Sequence, residues 1–305
     1  MLLDTAALYF RAFHGVPDTV RSPGGEPVNA VRGLLDIIAR LVTEFTPTEL
    51  VACWDDDWRP QWRVALIPSY KAQRVATETK AGSVEEVPDL LTSQVPVIRN
   101  VLDALGIPIV GAQDHEADDV IGTLAHRSRI PVDVVTGDRD LFQVVDDSRN
   151  VRVIYTGRGM SNLEILTDSA LKAKYGITPG QYADFAVMRG DPSDGLPGVA
   201  GVGEKTAVSL LERWGDLDGI VAAAGDDSTM MAATVRSKIL SAADYLAVAP
   251  KVVEVVRDLE LPEFDALIRP RTSEQSDAVD RLSERWGLGG SLQRVCRALD
   301  SMSGS

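Results

Sequence analysis

Thiol and imidazole side chains are scarce in this chain of 305 residues, which has two cysteines and three histidines. Cys53 and Cys296 lie far apart, so they do not suggest the disulfide framework of a small secreted fold. The histidines His14, His115 and His126 have no zinc-ligand spacing with the cysteines. These absences argue against a zinc centre, and the low cysteine content suits a reducing cytoplasm.

Long apolar runs, internal repeats and a visible leader are also missing. The longest apolar runs are far shorter than the roughly 20 residues that cross a bilayer. Asp4 interrupts the N-terminus before the apolar core of a secretory signal can form. We therefore expect a cytoplasmic globular protein with no membrane partner, since apolar residues at 45% are enough to form a core.

Basic residues are outnumbered, with 31 lysines and arginines against 45 acids and a net charge of −14. This total argues against a nucleic acid partner, because phosphates favour basic surfaces. Residues 58–77 are an exception, since they contain four basic residues and no acid. Cations mixed with aromatic rings suit phosphates and unstacked bases, although a loop over an edge of the fold is an equally supported interpretation. The residues concerned are Trp58, Arg59, Trp62, Arg63, Tyr70, Lys71 and Arg74.

Predicted strands alternate with predicted helices in the first half of the chain. Helical periodicity covers residues 29–45 and most of 83–106, despite Pro88 and Pro96. Strands that alternate with helices predict an α/β fold, a mainly parallel sheet with helices on both faces. The pattern beyond residue 160 is helical with Gly/Pro-rich joints, which divides the chain into 1–160 and 161–305. The predicted strands lie at 2–4, 49–55, 107–113, 132–140 and 151–156.

Carboxylates close several of these strands, where ligands of parallel sheets bind. The stretch DHEADDVIG (114–122) adds three acids at the start of a helix for which Asp114 is a plausible N-cap. Alone, this stretch is more typical of a solvated helix start than of a site, because acids there interact favourably with the helix dipole. The acids brought to one edge are Asp4, Asp55, Glu116, Asp118, Asp119, Asp138 and Asp140.

So many carboxylates at one edge repel each other unless cations offset them. Two Mg²⁺ or Mn²⁺ ions prefer oxygen ligands and can clamp the attacking and leaving oxygens of a phosphodiester. The stretch MRGDPSDGLPG supplies two further candidates, Asp191 and Asp194, although a plain turn also fits this composition. The sequence lacks the ligands of a zinc amidase and the triad of a serine hydrolase.

The segment GVAGVGEKTAVSLLERWG (198–215) has the composition of a phosphate-binding hairpin. It is not a P-loop, because Glu204 separates Gly203 from Lys205 and no strand precedes it. Glycines let backbone N–H groups approach a phosphate, and the following helix presents its positive end. A helix–hairpin–helix that grips duplex backbone is one interpretation, and a plain helix–turn–helix joint is the other. The candidate residues are Gly198, Gly201, Gly203, Lys205 and Thr206.

Five motifs follow one another along the chain: LLDTAALYFRAFHG, SYKAQR, EADDVIG, TGDRDL and GDPSDGLPGVAGVGEKTA. In type and order they resemble those of bacterial 5′-nucleases, the flap endonuclease family that includes the 5′-nuclease domain of DNA polymerase I. The resemblance covers roughly residues 1–250. It implies a PIN-like sheet domain, a helical arch at about 56–85 and a helix–three-turn–helix at about 185–215.

The resemblance implies two groups of metal ligands. Because nine of the 45 acids then belong to the site, the acidic total no longer argues strongly against DNA. The first group is Asp4, Asp55, Glu116 and Asp118, with Asp119 beside it; the second is Asp138, Asp140, Asp191 and Asp194.

The resemblance also implies cationic residues and a monovalent ion. Lys71 and Arg74 match the arch motif whose side chains reach the scissile phosphate, and Arg11 is a further phosphate contact. Family members bind K⁺ through backbone carbonyls of the helix–three-turn–helix. By motif position those carbonyls belong to Met188, Arg189, Pro197, Val199 and Val202.

The implied activity is cleavage of DNA with a 5′ flap, overhang or nick by a nucleoid-associated monomer that works beside a repair polymerase. A DNA-structure-binding protein with little cleavage, a PIN-like ribonuclease and a DxD phosphatase are the alternatives. Two departures from the family pattern stand out: Gly195 replaces the usual asparagine of SDN, and Asp56 and Asp57 are extra acids. The last 50 or so residues match no known motif.

Overall fold

The structure, a computed structural model, describes residues 1–79 and 82–303. Short 3₁₀ turns join several of its elements. The strands are β1 (Leu2–Asp4), β2 (Val51–Cys53), β3 (Val75–Thr79), β4 (Gly82–Glu85), β5 (Ile109–Val110), β6 (Val132–Thr136), β7 (Val151–Tyr155) and β8 (Glu164–Leu166). The helices are α1 (Thr5–Gly15), α2 (Asn29–Phe45), α3 (Gln61–Leu66), α4 (Asp89–Thr92), α5 (Val95–Ala104), α6 (Ala117–Arg127), α7 (Asp168–Tyr175), α8 (Tyr182–Arg189), α9 (Glu204–Trp214), α10 (Leu217–Gly225), α11 (Ala233–Ser241), α12 (Ala243–Leu246), α13 (Ala249–Val253), α14 (Ser273–Trp286) and α15 (Gly289–Ser303).

Six strands form the central sheet in the order β5-β2-β1-β6-β7-β8. The first five of these are parallel to one another, and β8 runs antiparallel to β7 at the edge. Parallel order places the carboxyl ends of β1, β2 and β6 side by side, as the closing acids predicted. The fold class predicted from the sequence, α/β with a mainly parallel sheet, is confirmed.

Consecutive strand residues point to opposite faces of the sheet, and helices bury both faces. Leu2 and Val134 belong to a core shared with α6 and the helices that follow residue 170. Leu3 and Val135 belong to a second core with α2, α5 and α15. Valine-rich strands such as β6 suit this environment, since strands covered on both faces are apolar almost throughout.

The region beyond residue 160 differs from the helical pattern expected there. Strand β8 completes the sheet after that point, with Leu166 opposite Val153. Helices α14 and α15 return to the sheet side, where Leu292 and Val295 pack in one core with α2. The division at residue 160 stays a prediction, and the last 50 residues acquire a role in covering the sheet.

Residues 56–106 are less helical than expected. In the arch segment, α3 is followed by a 3₁₀ turn and by the antiparallel hairpin of β3 and β4; residues 80–81 of that range lie outside the described chain. The stretch predicted to be mostly helical over 83–106 begins as β4 and continues as α4 and α5. Pro88 precedes α4 and Pro96 lies in the first turn of α5, because proline is tolerated only at helix starts.

Within residues 1–79 and 82–303, no helix is both long and apolar enough to cross a bilayer.

Candidate metal and phosphate site

One cleft of about 1350 Å³ opens at the carboxyl edge of the sheet. The acids predicted from the sequence that line it come from four separate segments: the end of β1, the loop after β2, the start of α6 and the loop after β6. Asp36, Glu85 and Glu86 line it as well. Cationic side chains from α1 and from the arch segment line the same cleft. The charged residues predicted from sequence that line it are Asp4, Arg11, Asp55, Lys71, Arg74, Glu116, Asp118 and Asp138.

Asp4 is held at the floor of this cleft. One carboxylate oxygen accepts a hydrogen bond from Thr136 Oγ1 at 2.6 Å, and the other accepts from the N–H of Ala7 at 3.2 Å. Burial, followed by the charges of Asp55 and Asp138, raises the pKa of Asp4 to about 7 despite these bonds. Asp4 therefore resists ionisation unless a positive charge comes close.

Three other acids share this condition. Burial and then the charge of Asp138 raise the pKa values of Asp118 and Asp140 well above their ordinary range. Burial raises the pKa of Asp194 to about 6, although Lys71 and Arg74 oppose the shift. Because Asp138 acts on all of these carboxyl groups, the acids from both halves of the sequence lie within one electrostatic neighbourhood.

Asp55 ties the second strand to the helix that carries the other acids. Its Oδ1 accepts a hydrogen bond from the N–H of Ala117 at 2.8 Å, the first residue of α6. The N-cap of α6 is Glu116, so the expectation that Asp114 caps the helix is wrong. Asp114 has φ +58° and lies two residues before the cap.

Glu116 is surrounded by donors. Its Oε1 accepts from Tyr70 Oη at 2.7 Å and from Arg63 Nη1 at 3.2 Å, and its Oε2 forms an ion pair with Lys71 Nζ. Lys71 is buried and has a left-handed φ of +48°, which non-glycine residues adopt uncommonly. The charge of Glu116 keeps the pKa of Lys71 well above its ordinary value, although burial acts in the opposite direction. Lys71 is therefore positively charged at the floor of the cleft.

Asp119 differs from the other predicted metal ligands. Its two oxygens accept four hydrogen bonds: two from Arg63 at 2.7 and 2.8 Å, one from the Val256 N–H at 2.9 Å and one from the Glu116 N–H at 3.3 Å. A carboxylate has about four lone-pair positions, so none is left for an ion. The structure therefore does not favour Asp119 as a ligand.

The arch motif contacts the loop that carries the last two acids. Arg74 Nη2 lies 2.7 Å from Asp194 Oδ1, and the Lys71 N–H donates to the Asp194 carbonyl at 2.9 Å. Asp191 pairs with Arg189 at 3.2 Å on the other side of this loop. Both basic residues of the motif thus lie next to predicted metal ligands.

Gly195, the departure from the family's SDN pattern, is explained by this contact. It has φ +69°, and a Cβ at this position would lie 1.9 Å from the carbonyl oxygen of Ser69. Ser69 Oγ also donates to the Gly195 carbonyl at 2.7 Å. A side chain at 195 would separate the arch motif from the acidic loop.

Arg59 and Arg63 are not surface cations, contrary to one interpretation of the basic segment. Both side chains are buried and bonded to the protein, Arg59 to the Tyr70 carbonyl at 2.7 Å and Arg63 to Asp119. Arg11 differs, because it lines the cleft and its buried Nε has no hydrogen-bond partner in the described chain. Lys71, Arg74 and Arg11 remain as the cations next to the acids.

As they stand, no three carboxylate, thiol or imidazole groups of the described residues converge closely enough to hold one ion. Several of the acids instead face Lys71, Arg74 or one another. The donor set nevertheless fits hard divalent cations, because it consists of oxygens whose ionisation is suppressed by burial and mutual repulsion. Extra Asp56 does not join the set: its carboxylate lies against Gly111, 2.5 Å from where a Cβ of that residue would be.

The predicted hairpin forms a tight loop between α8 and α9. Gly198 has φ +67°, and a Cβ there would lie 2.6 Å from the nitrogen of Gly190. The Met188 carbonyl accepts from the Val199 N–H, and the Val199 carbonyl accepts from the Val202 N–H, both at 2.9 Å. Two of the five carbonyls considered for K⁺ therefore already take part in hydrogen bonds of the loop.

Helix α9 begins where the sequence predicted. Gly203 is its N-cap, so the first N–H groups of α9 have no capping side chain. Lys205 and Thr206 line a surface groove of about 350 Å³ with the exposed Met230. Lys238 Nζ donates to the Gly201 carbonyl at 2.8 Å and thereby fixes the glycine loop to α11.

Three supporting residues were not found from the sequence. Tyr70 and Arg63 bind Glu116, and Thr136 binds Asp4. Thr136 ends β6 at the acidic edge, so its position was a usable signal. Tyr70 and Arg63 gave none, because only the tertiary fold brings the basic segment to α6.

Comparisons with known proteins identify the family. A family model described as the N-terminal resolvase-like domain of 5′-3′ exonucleases matches residues 1–176, and one described as their C-terminal SAM fold matches residues 177–275. A 5′-3′ exonuclease of Streptomyces coelicolor is 58% identical over 98% of this chain and 99% of its own length. One of Mycobacterium tuberculosis is 49% identical over 100% of this chain and 98% of its own length. DNA polymerase I of Mycobacterium bovis is 37% identical over 88% of this chain, but this match covers 28% of the polymerase.

Solved structures share the fold at low sequence identity. The T5 D15 protein co-crystallised with metal ions has a TM-score of 0.62 and 14% identity, covering 99% of this chain and 98% of that one. The catalytic core of Rad2 in complex with DNA substrate has a TM-score of 0.60 and 14% identity, covering 99% and 91%. The predicted fold, nuclease activity and family resemblance are confirmed, and this chain belongs to the 5′-3′ exonuclease family.

Proposed function

We propose that this enzyme hydrolyses phosphodiesters of DNA near junctions between single and double strands, with divalent metal ions as cofactors. It acts as a flap endonuclease and 5′-3′ exonuclease in replication and repair, and it leaves a 5′-phosphate and a 3′-hydroxyl. The observation that carries the proposal is a cleft at one sheet edge where mutually repelling carboxylates lie beside Lys71, Arg74 and Arg11.

Eight acids are the proposed ligands of Mg²⁺ or Mn²⁺. When bound, two such ions stabilise the charge on the attacking and leaving oxygens of the phosphodiester. Asp119 is left out of the set because its oxygens are fully hydrogen-bonded. One group is Asp4, Asp55, Glu116 and Asp118; the other is Asp138, Asp140, Asp191 and Asp194.

The cations of the cleft act on the phosphate itself. Lys71 lies within ion-pair distance of Glu116, and Arg74 within ion-pair distance of Asp194. Both cations would therefore reach a phosphate bound next to these two acids. Their positive charges stabilise the negative charge that develops during cleavage. Arg11 lines the same cleft, so its guanidinium can donate to a further phosphate oxygen.

The glycine loop and the start of α9 hold duplex DNA through its backbone. The uncapped N–H groups after Gly203, together with Lys205 and Thr206, provide donors and a cation for phosphates. Selectivity then comes from DNA shape, because such contacts carry no base information. Proteins of similar fold have been solved in complex with DNA. We also propose K⁺ at the loop carbonyls, and a monomer that acts beside a repair polymerase.

A DNA-structure-binding protein with little cleavage is the second candidate, and a ribonuclease is the third. An end-labelled 5′-flap duplex and its RNA-flap equivalent, incubated with the protein and Mg²⁺ or Mn²⁺, separate the three. We expect cleavage of the DNA flap near the junction, with no products in EDTA. Binding without products would support the second candidate, and products from the RNA flap alone would support the third. Fragment lengths distinguish junction cleavage from stepwise trimming.

Metal binding is expected to stabilise the protein in a pH-dependent way. Because the folded-state pKa of Asp4 is raised from 3.8 to about 7, folded protein binds protons more tightly than the unfolded chain does. Without metal, stability should therefore fall as the pH rises through this window. Ions at about 100 times their dissociation constant should add about 2.7 kcal/mol of stability. The gain in melting temperature with Mn²⁺ should be larger at about pH 8 than at about pH 5, since protons compete for the ligands.

Differential scanning calorimetry in EDTA and in Mn²⁺ measures both effects. Asp118→Asn is the matched variant: it should melt at a higher temperature than wild type in EDTA and gain less from Mn²⁺. Equal stabilisation of both proteins at the two pH values would contradict the acidic edge as the metal site.

A further inference from the structure

Arg63 is a buried guanidinium that the sequence placed among the surface cations. Its side chain is 3% exposed and comes from α3, in the arch segment. It lies between the start of α6 and residues 252–256, which are the end of α13 and the three residues after it. Arg63 therefore joins three segments that are remote in sequence.

All the donors of Arg63 are used. Nη1 donates to Asp119 Oδ2 at 2.8 Å and to Glu116 Oε1 at 3.2 Å, and Nη2 donates to Asp119 Oδ1 at 2.7 Å. The remaining N–H groups donate to the carbonyls of Val252 at 3.0 Å and Glu254 at 3.5 Å. Five N–H groups thus meet five acceptors, an arrangement that the planar fork of arginine permits and the ammonium of lysine does not.

Asp119 holds this fork in place. Its remaining lone pairs accept from the N–H of Val256 at 2.9 Å and of Glu116 at 3.3 Å. Gln143 lies in the 3₁₀ turn Asp140–Val144. It accepts from the Val255 N–H and donates to the Val253 carbonyl, so it fixes the end of α13 and the residues after it to this turn. The backbone and the side chain of Glu116 are therefore both fixed through the Arg63–Asp119 pair.

We infer that Arg63, supported by Asp119, is a positioning residue of the nuclease: it orients the Glu116 carboxylate toward the proposed metal ions. This inference rests on the proposed function. Arg63 and Tyr70 both hold Oε1 of Glu116, while Oε2 pairs with Lys71, which lines the cleft, so Oε1 is fixed from the protein side and Oε2 lies on the cleft side. Partners that fix a ligand in this way commonly affect metal affinity or activity by about 10- to 100-fold.

Arg63→Lys and Asp119→Asn test the inference. Mn²⁺ dissociation constants are measured without DNA, by the electron paramagnetic resonance signal of free Mn²⁺, and single-turnover cleavage is measured at saturating DNA and Mn²⁺. We expect Mn²⁺ affinity of at least one site to fall about 10-fold or more in each variant. The double variant should bind Mn²⁺ no more weakly than the single variant with the lower Mn²⁺ affinity, because the two residues act as one unit.

Arg271→Lys is the matched control, because Arg271 also pairs with a carboxylate, Asp300 at 2.9 Å, but on α15. It should keep the Mn²⁺ affinity and rate of wild type. Melting temperatures are recorded for all variants, and Asp119→Asn decides the question if Arg63→Lys does not fold. A lower melting temperature with Mn²⁺ affinity and single-turnover rate within twofold of wild type would overturn the inference. Wild-type protein that neither binds Mn²⁺ nor cleaves DNA would instead overturn the proposed function.

Discussion

Asp138→Ala is expected to abolish cleavage of a 5′-flap duplex while binding of that duplex survives. Asp138 lies two residues beyond β6, and its charge raises the pKa values of Asp4, Asp118 and Asp140. Its charge acts on Asp194 as well, so four carboxyl groups of the site are affected and this position is central to any pair of ions held there. A metal ion contributes several kcal/mol to the transition state, so its loss should reduce the single-turnover rate by at least about 10³-fold. Asp140→Ala should behave in the same way.

The measurement is single-turnover cleavage with Mg²⁺, together with flap binding in Ca²⁺ or EDTA. Binding should stay within a few-fold of wild type, because in our proposal the phosphate contacts of the glycine loop and α9 supply it. The metal-free variant should also melt at or above the wild-type temperature, since one repelling charge has gone. Asp103→Ala, an exposed position on α5, is the matched control and should cleave normally. Retained turnover in both Asp138→Ala and Asp140→Ala would rule out the two-metal assignment.

The position of Asp138 could be predicted from the sequence because its information is local. A valine-rich run predicts a buried strand, the following acid closes it, and parallel order brings such ends together. The same reasoning placed Asp4 and Asp55 correctly at the edge. The glycine loop was also predictable, because a glycine-rich segment is typical of a tight turn. Gly198 has the positive φ and the close backbone contact that such a turn requires.

Long-range partners could not be predicted in this way. Arg63 and Asp119 are separated by 56 positions, and nothing in either local pattern indicates a buried pair. A cation between aromatic residues has the same sequence signature whether it meets a phosphate or a buried carboxylate. The hairpin of β3 and β4 was missed for a related reason: strands of five and four residues are too short to show a period that separates strand from helix, and packing decides between them.

Lys71→Met is expected to reduce the rate of cleavage much more than the affinity for DNA. Lys71 is buried at the floor of the cleft, carries a fixed positive charge and is held by Glu116 and by its own strained backbone. A buried residue adds little to the contact area with DNA. Its charge matters most when negative charge develops on the phosphate, because the low dielectric of the cleft strengthens the interaction.

The expected loss in single-turnover rate is about 10²- to 10³-fold, the usual effect of removing one preorganised donor from a transition state. The dissociation constant for the flap duplex, measured in Ca²⁺, should change by no more than a few-fold. Lys172→Met is the matched control. Lys172 lies on α7 and donates to the carbonyl of Gly176, just after that helix, so its substitution should affect neither quantity. An unchanged rate at saturating DNA, with weaker binding alone, would make Lys71 a DNA-binding residue. Burial is the physical reason: because DNA cannot reach the charge of Lys71 from the surface, this charge acts only on a phosphate that has entered the acidic cleft.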